Sequence, residues 1–334
     1  MVSQCGNFTE DGRFSQLTSW WIDTYVKDVV TGIGIVGNIL ICVILMQKNV
    51  RNSFNQLRVA LALFDIVLLL ELFFTIALYR SATDILQAVY PVILSPLMNF
   101  AITICGYMTI AIAWERYGAI NNPYDYKSNQ ENRAMKYVFS LIVAAFILNI
   151  GRFFEFQPTQ CIERPGFTGL FMLTKIYKNY IYAFYNMVIL RILLRGLIPV
   201  TLLICFYTKI FLKIREHKQN MASQNTRAKN KMIKEQRMAI TFAGVVLSYL
   251  VCTIPGCLVV IQVYMVDGGE LKGVKVYDLI IIVRDVLYTL NSSINIFIYS
   301  CLDTIFRKEL KKFFMHLMRR HVNSPTSTEC ETAC

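Results

Sequence analysis

Seven long apolar runs constrain this chain more than any other feature, at residues 29–47, 59–79, 88–114, 137–151, 180–207, 238–266 and 279–300. A helix needs about 20 such residues to cross the hydrocarbon core of a bilayer, and most of the runs reach that length. The fourth is short, so uncharged flanking residues have to complete its span. One run of this kind suits a buried helix of a soluble protein, but seven in one chain with 55% hydrophobic residues and a mean hydropathy of +0.45 do not. Unpaired backbone is too costly in lipid for anything but helices or a closed barrel, and these runs are too long and too unalternating for barrel strands. The expected fold is an all-α membrane protein, a seven-transmembrane helix bundle followed by a short amphipathic eighth helix. It divides into an N-terminal segment 1–26, a bundle 27–302, a membrane-surface helix 303–318 and a tail 319–334.

Residues 1–26 are polar, carry both signs of charge and hold no apolar core, which speaks against a cleavable targeting segment. The loops set the expected orientation. Lys209, Lys213, Arg215, Lys218, Arg227, Lys229, Lys231, Lys234 and Arg237 lie between runs five and six, opposed only by Glu216 and Glu235. Lys48, Arg51 and Arg58 in the first loop and Arg307, Lys308, Lys311, Lys312, Arg319 and Arg320 after run seven fall on the same side. The positive-inside rule places that side in the cytoplasm and the N-terminus outside, as in a multi-pass plasma-membrane protein. It also accounts for most of the net charge of +12, without the stacking aromatics or binding motif of a nucleic-acid protein. Asn7–Phe8–Thr9 is then an accessible glycosylation acceptor, whereas Asn291–Ser292–Ser293 has the same pattern inside run seven and reads as internal polar structure.

Several residues inside or beside the runs match, in order, a pattern spread over nearly the whole chain. They are Gly37–Asn38, Leu61–Ala62–Leu63–Phe64–Asp65, Glu115–Arg116–Tyr117, Pro199 and Tyr207, Cys252 and Pro255, and Asn295 to Tyr299. In this the chain resembles the rhodopsin-like class of G-protein-coupled receptors. The resemblance implies a receptor that is not itself an enzyme and that drives nucleotide exchange on a heterotrimeric G protein. It also implies a switch built from Glu115, Arg116, Tyr117, Tyr207, Glu235, Asn295 and Tyr299, in which Arg116 lets go when helix six swings outward.

The residues support that reading physically. Arg116 can be held by Glu115 or, across the bundle, by Glu235, and such an ion pair specifies a state more than it stabilises a fold. Asp65 is a mid-membrane carboxylate that is expensive unless it faces polar partners, for which Asn38, Asn291, Ser292 and Asn295 are suited. The class holds a sodium ion at this cluster, although here Cys105 stands where a hydroxyl is usual. Pro199 and Pro255 remove backbone donors and are expected to kink their helices.

Three departures from the class pattern stand out. Thr253 replaces the usual tryptophan of helix six, and Ile296 replaces the proline that normally follows Asn295. Pro91 occupies the helix-three position of the usual outer disulfide, leaving Cys161 either paired with Cys5 or free.

Ligand candidates follow from charge and position. Met98 stands where amine receptors carry an aspartate and Thr289 where light-sensing pigments carry a lysine, which speaks against both. Glu71, Asp84, Glu155, Arg191, Arg195, Arg284 and Asp285 punctuate the outer halves of the runs, and intramembrane charges are functional candidates by default. With Met98 and Thr253 they outline a ligand site. The stretch from Asn149 to Glu155, the Tyr90–Pro91 pair and the absence of a helix-four tryptophan resemble the invertebrate FMRFamide-related neuropeptide receptors. That closer resemblance implies an amidated RFamide-type peptide with Glu71, Glu155 and Asp285 as partners for its arginine. A small lipophilic pheromone or other chemosensory ligand is the alternative.

Beyond run seven, residues 303–318 present Ile305, Phe306, Leu310, Phe313, Phe314 and Leu317 as an apolar face, with Lys311 and Lys312 toward lipid headgroups. Ser324, Thr326, Ser327 and Thr328 suit a receptor kinase and then an arrestin, and Cys330 and Cys334 suit palmitate. A transporter is the distant alternative. It calls for interrupted helices in two corresponding halves, and that pattern is missing from the sequence.

Overall fold

The structure is a computed structural model that describes residues 25–47, 50, 52–81, 90–121, 133–164, 167–176, 179–220, 240–241, 243–254 and 286–322. Asn7, Cys5, Asp84, Glu235, Pro255, Arg284, Asp285, Cys330, Cys334 and the tail hydroxyls lie outside the described residues. So do the side chains of Pro91, Cys161 and Leu317.

Each of the seven runs contains a helix, and an eighth follows. They are α1 (Lys27–Leu45), α2 (Ser53–Ser81), α3 (Ser95–Asn121, entered through a π-helical turn Tyr90–Leu94) and α4 (Arg133–Asn149, extended by a tight turn Ile150–Phe154). Next come α5 (Tyr180–Phe184, a π-helical stretch Tyr185–Leu197, then Ile198–Asn220), α6 (Ala243–Ile254), α7 (Val286–Leu302) and α8 (Thr304–Val322). Four described segments are long and apolar enough to span a membrane by themselves: Lys27–Leu45, Val92–Asn121, Arg133–Phe154 and Tyr180–Glu216. The fourth run reaches 22 residues, but not through uncharged flanks alone as expected: the added residues include Arg133 and Lys136 at one end and Arg152 at the other, positions where a long side chain can reach the interface. At 29 residues α2 is longer than a span requires, but Asp65 and Glu71 interrupt its apolar composition.

Between α4 and α5 the chain forms an antiparallel hairpin of β1 (Phe156–Arg164) and β2 (Phe167–Leu173), with Phe156 opposite Leu173 and Arg164 opposite Phe167. An all-helical reading does not anticipate it. Thr174 pins its exit to the end of α4, donating from its amide to the Glu155 carbonyl at 3.0 Å and from its hydroxyl to the Phe154 carbonyl at 2.6 Å.

Helix faces follow from side-chain size. On α1 the buried positions Thr31, Gly34, Gly37, Asn38, Ile41, Ile44 and Leu45 recur at helical spacing, while Val29, Ile33, Val36, Ile39 and Val43 face outward. Outward apolar residues are the correct surface for a membrane protein, because lipid replaces water there. A Cβ at Gly37 would lie 2.6 Å from Ile296 Cγ2, and one at Gly34 would collide with Ser293. These glycines let α1 close on α7, the small-residue contact by which membrane helices pack. The central helix is α3, which touches α2, α4 and α5. Its Ile104, Met108 and Ile112 join Leu57, Leu61, Leu203, Ile210 and Tyr249 in the main apolar core. A second core of Ile41, Ile44, Ala62, Val245, Tyr299 and Phe306 ties α1, α2, α6 and α7 to α8.

Candidate functional site

Polar side chains inside the bundle gather at three levels. At the middle level, Asp65 is 1% exposed and Asn295 Nδ2 donates to its Oδ2 at 2.8 Å. Ser292 and Cys105 also hydrogen-bond to this carboxylate. Asn38 serves a different joint, with Nδ2 donating to the carbonyls of Ser292 at 2.8 Å and Gly34 at 2.9 Å, which links α1 to α7. Ser293 reinforces that joint by donating to the Val30 carbonyl at 3.1 Å. Ser292 and Ser293 are both buried, as expected for internal structure, and Asn291 lines the adjoining cavity.

At the end of the bundle that carries the Glu–Arg–Tyr triplet, Glu115 is buried and the Arg116 guanidinium lies 3.2 Å from the ring centroid of Phe54 on α2. Tyr117 packs with Trp114 and Phe206, and Tyr207 stacks on Phe211. Tyr299 is 3% exposed, with the guanidinium of Arg58 3.8 Å over its ring. Arg58 Nη1 donates to Asp303 Oδ2 at 2.9 Å and to Asn55 Oδ1 at 3.2 Å. Asp303 also caps α8, its Oδ1 accepting from the amides of Ile305 and Phe306 at 2.9 and 3.2 Å. Phe54, Arg58, Thr241, Val245, Tyr299 and Asp303 line a small cleft at this end. The sequence reading took Arg58 as one more basic loop residue and left Phe54 and Asp303 without roles. The cap was legible, since Asp303 immediately precedes an amphipathic run; its pairing with Arg58 was not.

The third level lies toward the hairpin. A cavity there is lined by Leu68, Ile102, Thr103, Cys105, Gly106, Tyr107, Arg195, Pro199, Tyr249, Thr253, Tyr288, Asn291 and Ser292. Pro199 has no amide hydrogen for the Arg195 carbonyl four residues earlier, and the Tyr249 hydroxyl on α6 donates to that carbonyl at 3.0 Å. Gly106 makes room, since a Cβ there would sit 2.9 Å from the same hydroxyl.

The sequence-predicted ligand residues separate in this region. Arg195 and Thr253 reach the cavity, and Arg191 lies half-buried on the same π-helical stretch. Met98 packs with Leu68, Leu72 and Ala101. Glu155 is already paired, 3.0 Å from Arg152, and accepts from the Tyr182 hydroxyl at 3.0 Å and from Asn186 Nδ2 at 3.3 Å. Glu71 is 6% exposed and faces the backbone of Met98, with no side-chain partner among the described residues.

The bundle thus carries a buried acid at its middle and an arginine at one end, polar groups that a membrane protein keeps only where they have a role. Residues 37–299 match the description of the rhodopsin family of seven-transmembrane receptors, and the chain belongs to that family. It is therefore a G-protein-coupled receptor. It is 27% identical over 312 residues to a probable G-protein coupled receptor of Caenorhabditis elegans, covering 86% of this chain and 68% of that protein. It is 24% identical to the adenosine receptor A2a of Canis lupus familiaris, covering 90% and 74%. It is 23% identical to the FMRFamide receptor of Drosophila melanogaster, covering 89% of this chain and 53% of that protein.

Proposed function

We propose that this receptor lies in the plasma membrane with its N-terminus outside and responds to an extracellular peptide, with an amidated peptide ending in Arg-Phe as the specific candidate. Glu71 carries the reading: a buried acid on α2 that no side chain pairs among the described residues suits a cation brought by the ligand. Likeness to the Drosophila FMRFamide receptor supports it. Glu155, once an equal candidate, is committed to Arg152, while Asp285 keeps its candidacy from sequence alone. A small organic ligand is the second reading, because the chain resembles the dog adenosine receptor to the same degree.

In this reading Arg116 leaves Phe54 when α6 swings outward and meets the G protein, with Tyr207 and Tyr299 rearranging around it. A sodium ion at the middle level would draw hard oxygen from Asp65 and Ser292 but only soft sulfur from Cys105, a weaker set than oxygen alone. Glycosylation at Asn7, acylation at Cys330 and Cys334, anionic lipid along α8, and kinase and arrestin at the tail complete the proposal.

The test is a calcium or cAMP response in cells expressing the chain with a promiscuous G protein. Amidated Arg-Phe peptides, their free acids and a panel of small lipophilic compounds are applied in turn. A response confined to the amidated peptides supports the proposal. A response confined to small compounds, with surface expression verified, replaces it with the second reading.

A further inference from the structure

The cavity contains a cation that no described carboxylate pairs. Arg195 Nη1 donates to Asn99 Oδ1 at 2.9 Å and Nη2 to Asn149 Oδ1 at 2.7 Å. Both amides are themselves held in place. Asn99 Nδ2 donates to the Ser95 carbonyl at 2.7 Å, while Asn149 Nδ2 donates to the Ala145 carbonyl at 2.7 Å and to Thr103 Oγ1 at 3.1 Å. The guanidinium is thus fixed from α3 and α4 at once, which is the arrangement a positioned binding group needs. Its Nε is buried and has no acceptor among the described residues.

Neutral amides orient a guanidinium but do not cancel its charge. The electrostatic neighbours of Arg195 are Arg152, a second cation, and the hydroxyls of Tyr288, Tyr107 and Tyr249. Of the described carboxylates nearby, Glu155 is taken by Arg152, Asp65 by Asn295, Ser292 and Cys105, and Glu71 faces the backbone of Met98. A charge inside a membrane span is normally paired, and this one opens on the cavity.

We propose that the cavity takes a carboxylate of the ligand, bound at Arg195 and flanked by the tyrosine hydroxyls. The proposal rests on the receptor reading and narrows it. The ligand carries an acid at its buried end: the side chain of an acidic residue if the peptide is amidated as proposed above, or a free C-terminal carboxylate, which would replace the amidated candidate. A guanidinium and a carboxylate form charge-assisted hydrogen bonds that an amide in the same place cannot match.

The experiment uses the full chain in lipid nanodiscs and reads thermal stabilisation, which needs no G protein. Three uncharged-amine probes are compared: N-acetyl-Phe-Phe as the free acid, the same compound as the carboxamide, and N-acetyl-Glu-Phe carboxamide. The acid-bearing probes are expected to half-saturate at concentrations about tenfold or more below the plain carboxamide. The free acid alone would identify a terminal carboxylate, and the Glu-bearing amide alone a side chain. Arg195→Gln is expected to abolish the difference, and Arg195→Lys, kept as a folded control, to retain part of it. Equal binding of acid and amide to the wild type overturns the proposal. So does a preference that appears only in Asp285→Asn, which would make Asp285 the internal counterion. Basal nucleotide exchange on a G protein, measured on the same preparation, tests the receptor reading separately.

Discussion

Arg58 on α2 and Asp303 at the head of α8 form an ion pair at 2.9 Å although 245 positions separate them, and their side chains are only 4% and 8% exposed. Through it Arg58 is held over the ring of Tyr299, and the Asp303 cap holds α8. Removing one partner leaves the other charged and buried, which costs about 3 kcal/mol. Asp303→Ala also removes the cap, worth about 1 kcal/mol. We expect Asp303→Ala to lower the melting temperature of the purified receptor more than the double variant Arg58→Leu/Asp303→Leu does. A double variant as unstable as the sum of two single ones would show that the residues are uncoupled.

Arg116 rests on Phe54 rather than standing free at the boundary. A contact of this kind contributes about 1 kcal/mol. Phe54→Leu is expected to raise basal nucleotide exchange by a few fold, because the resting position of Arg116 loses that contact. Arg116→Ala should preserve surface expression and ligand binding while exchange disappears. Intact exchange in Arg116→Ala would remove this residue from the switch.

The contact of α1 with α7 leaves no room at Gly37. Gly37→Val places methyl groups against Ile296, and overpacking of this order costs about 1–3 kcal/mol. Thermal half-life in detergent should fall accordingly. Ile296→Ala in the same chain should restore part of it, since Ile296 Cγ2, the nearest atom at 2.6 Å, is then gone.

Cys105 is the soft member of the Asp65 cluster. Cys105→Ser supplies a hydroxyl, a harder donor for an alkali ion. Basal nucleotide exchange, titrated with sodium against a non-coordinating cation at constant ionic strength, should become more sodium-sensitive in this variant. Identical titrations for wild type and variant would dismiss sodium at this position.

Much of the chain was legible before folding because membrane insertion imposes a one-dimensional rule. Any span must be long, apolar and helical, so the runs, the short fourth span and the head of α8 could be read from order and length. Asp65 was legible for a related reason, since a lone acid in such a run must find polar partners, and Asn295 and Ser292 are among them. Asn38 shows the limit of that argument. It has the right chemistry for Asp65, yet its amide goes to the Ser292 and Gly34 carbonyls.

By itself, the sequence determined the helices, the family and the residues with chemistry to spend. Only the tertiary structure decided which of them meet. It gave Glu155 to Arg152 and Tyr182, left Glu71 without a side-chain partner among the described residues, and turned Arg58 and Asp303 into a buried pair. Helix propensity and hydropathy act over a few neighbouring residues, whereas these pairings depend on helix rotation and approach. Those are set by small packing details, such as the missing Cβ atoms of Gly34, Gly37 and Gly106, whose partners lie on distant segments of the chain.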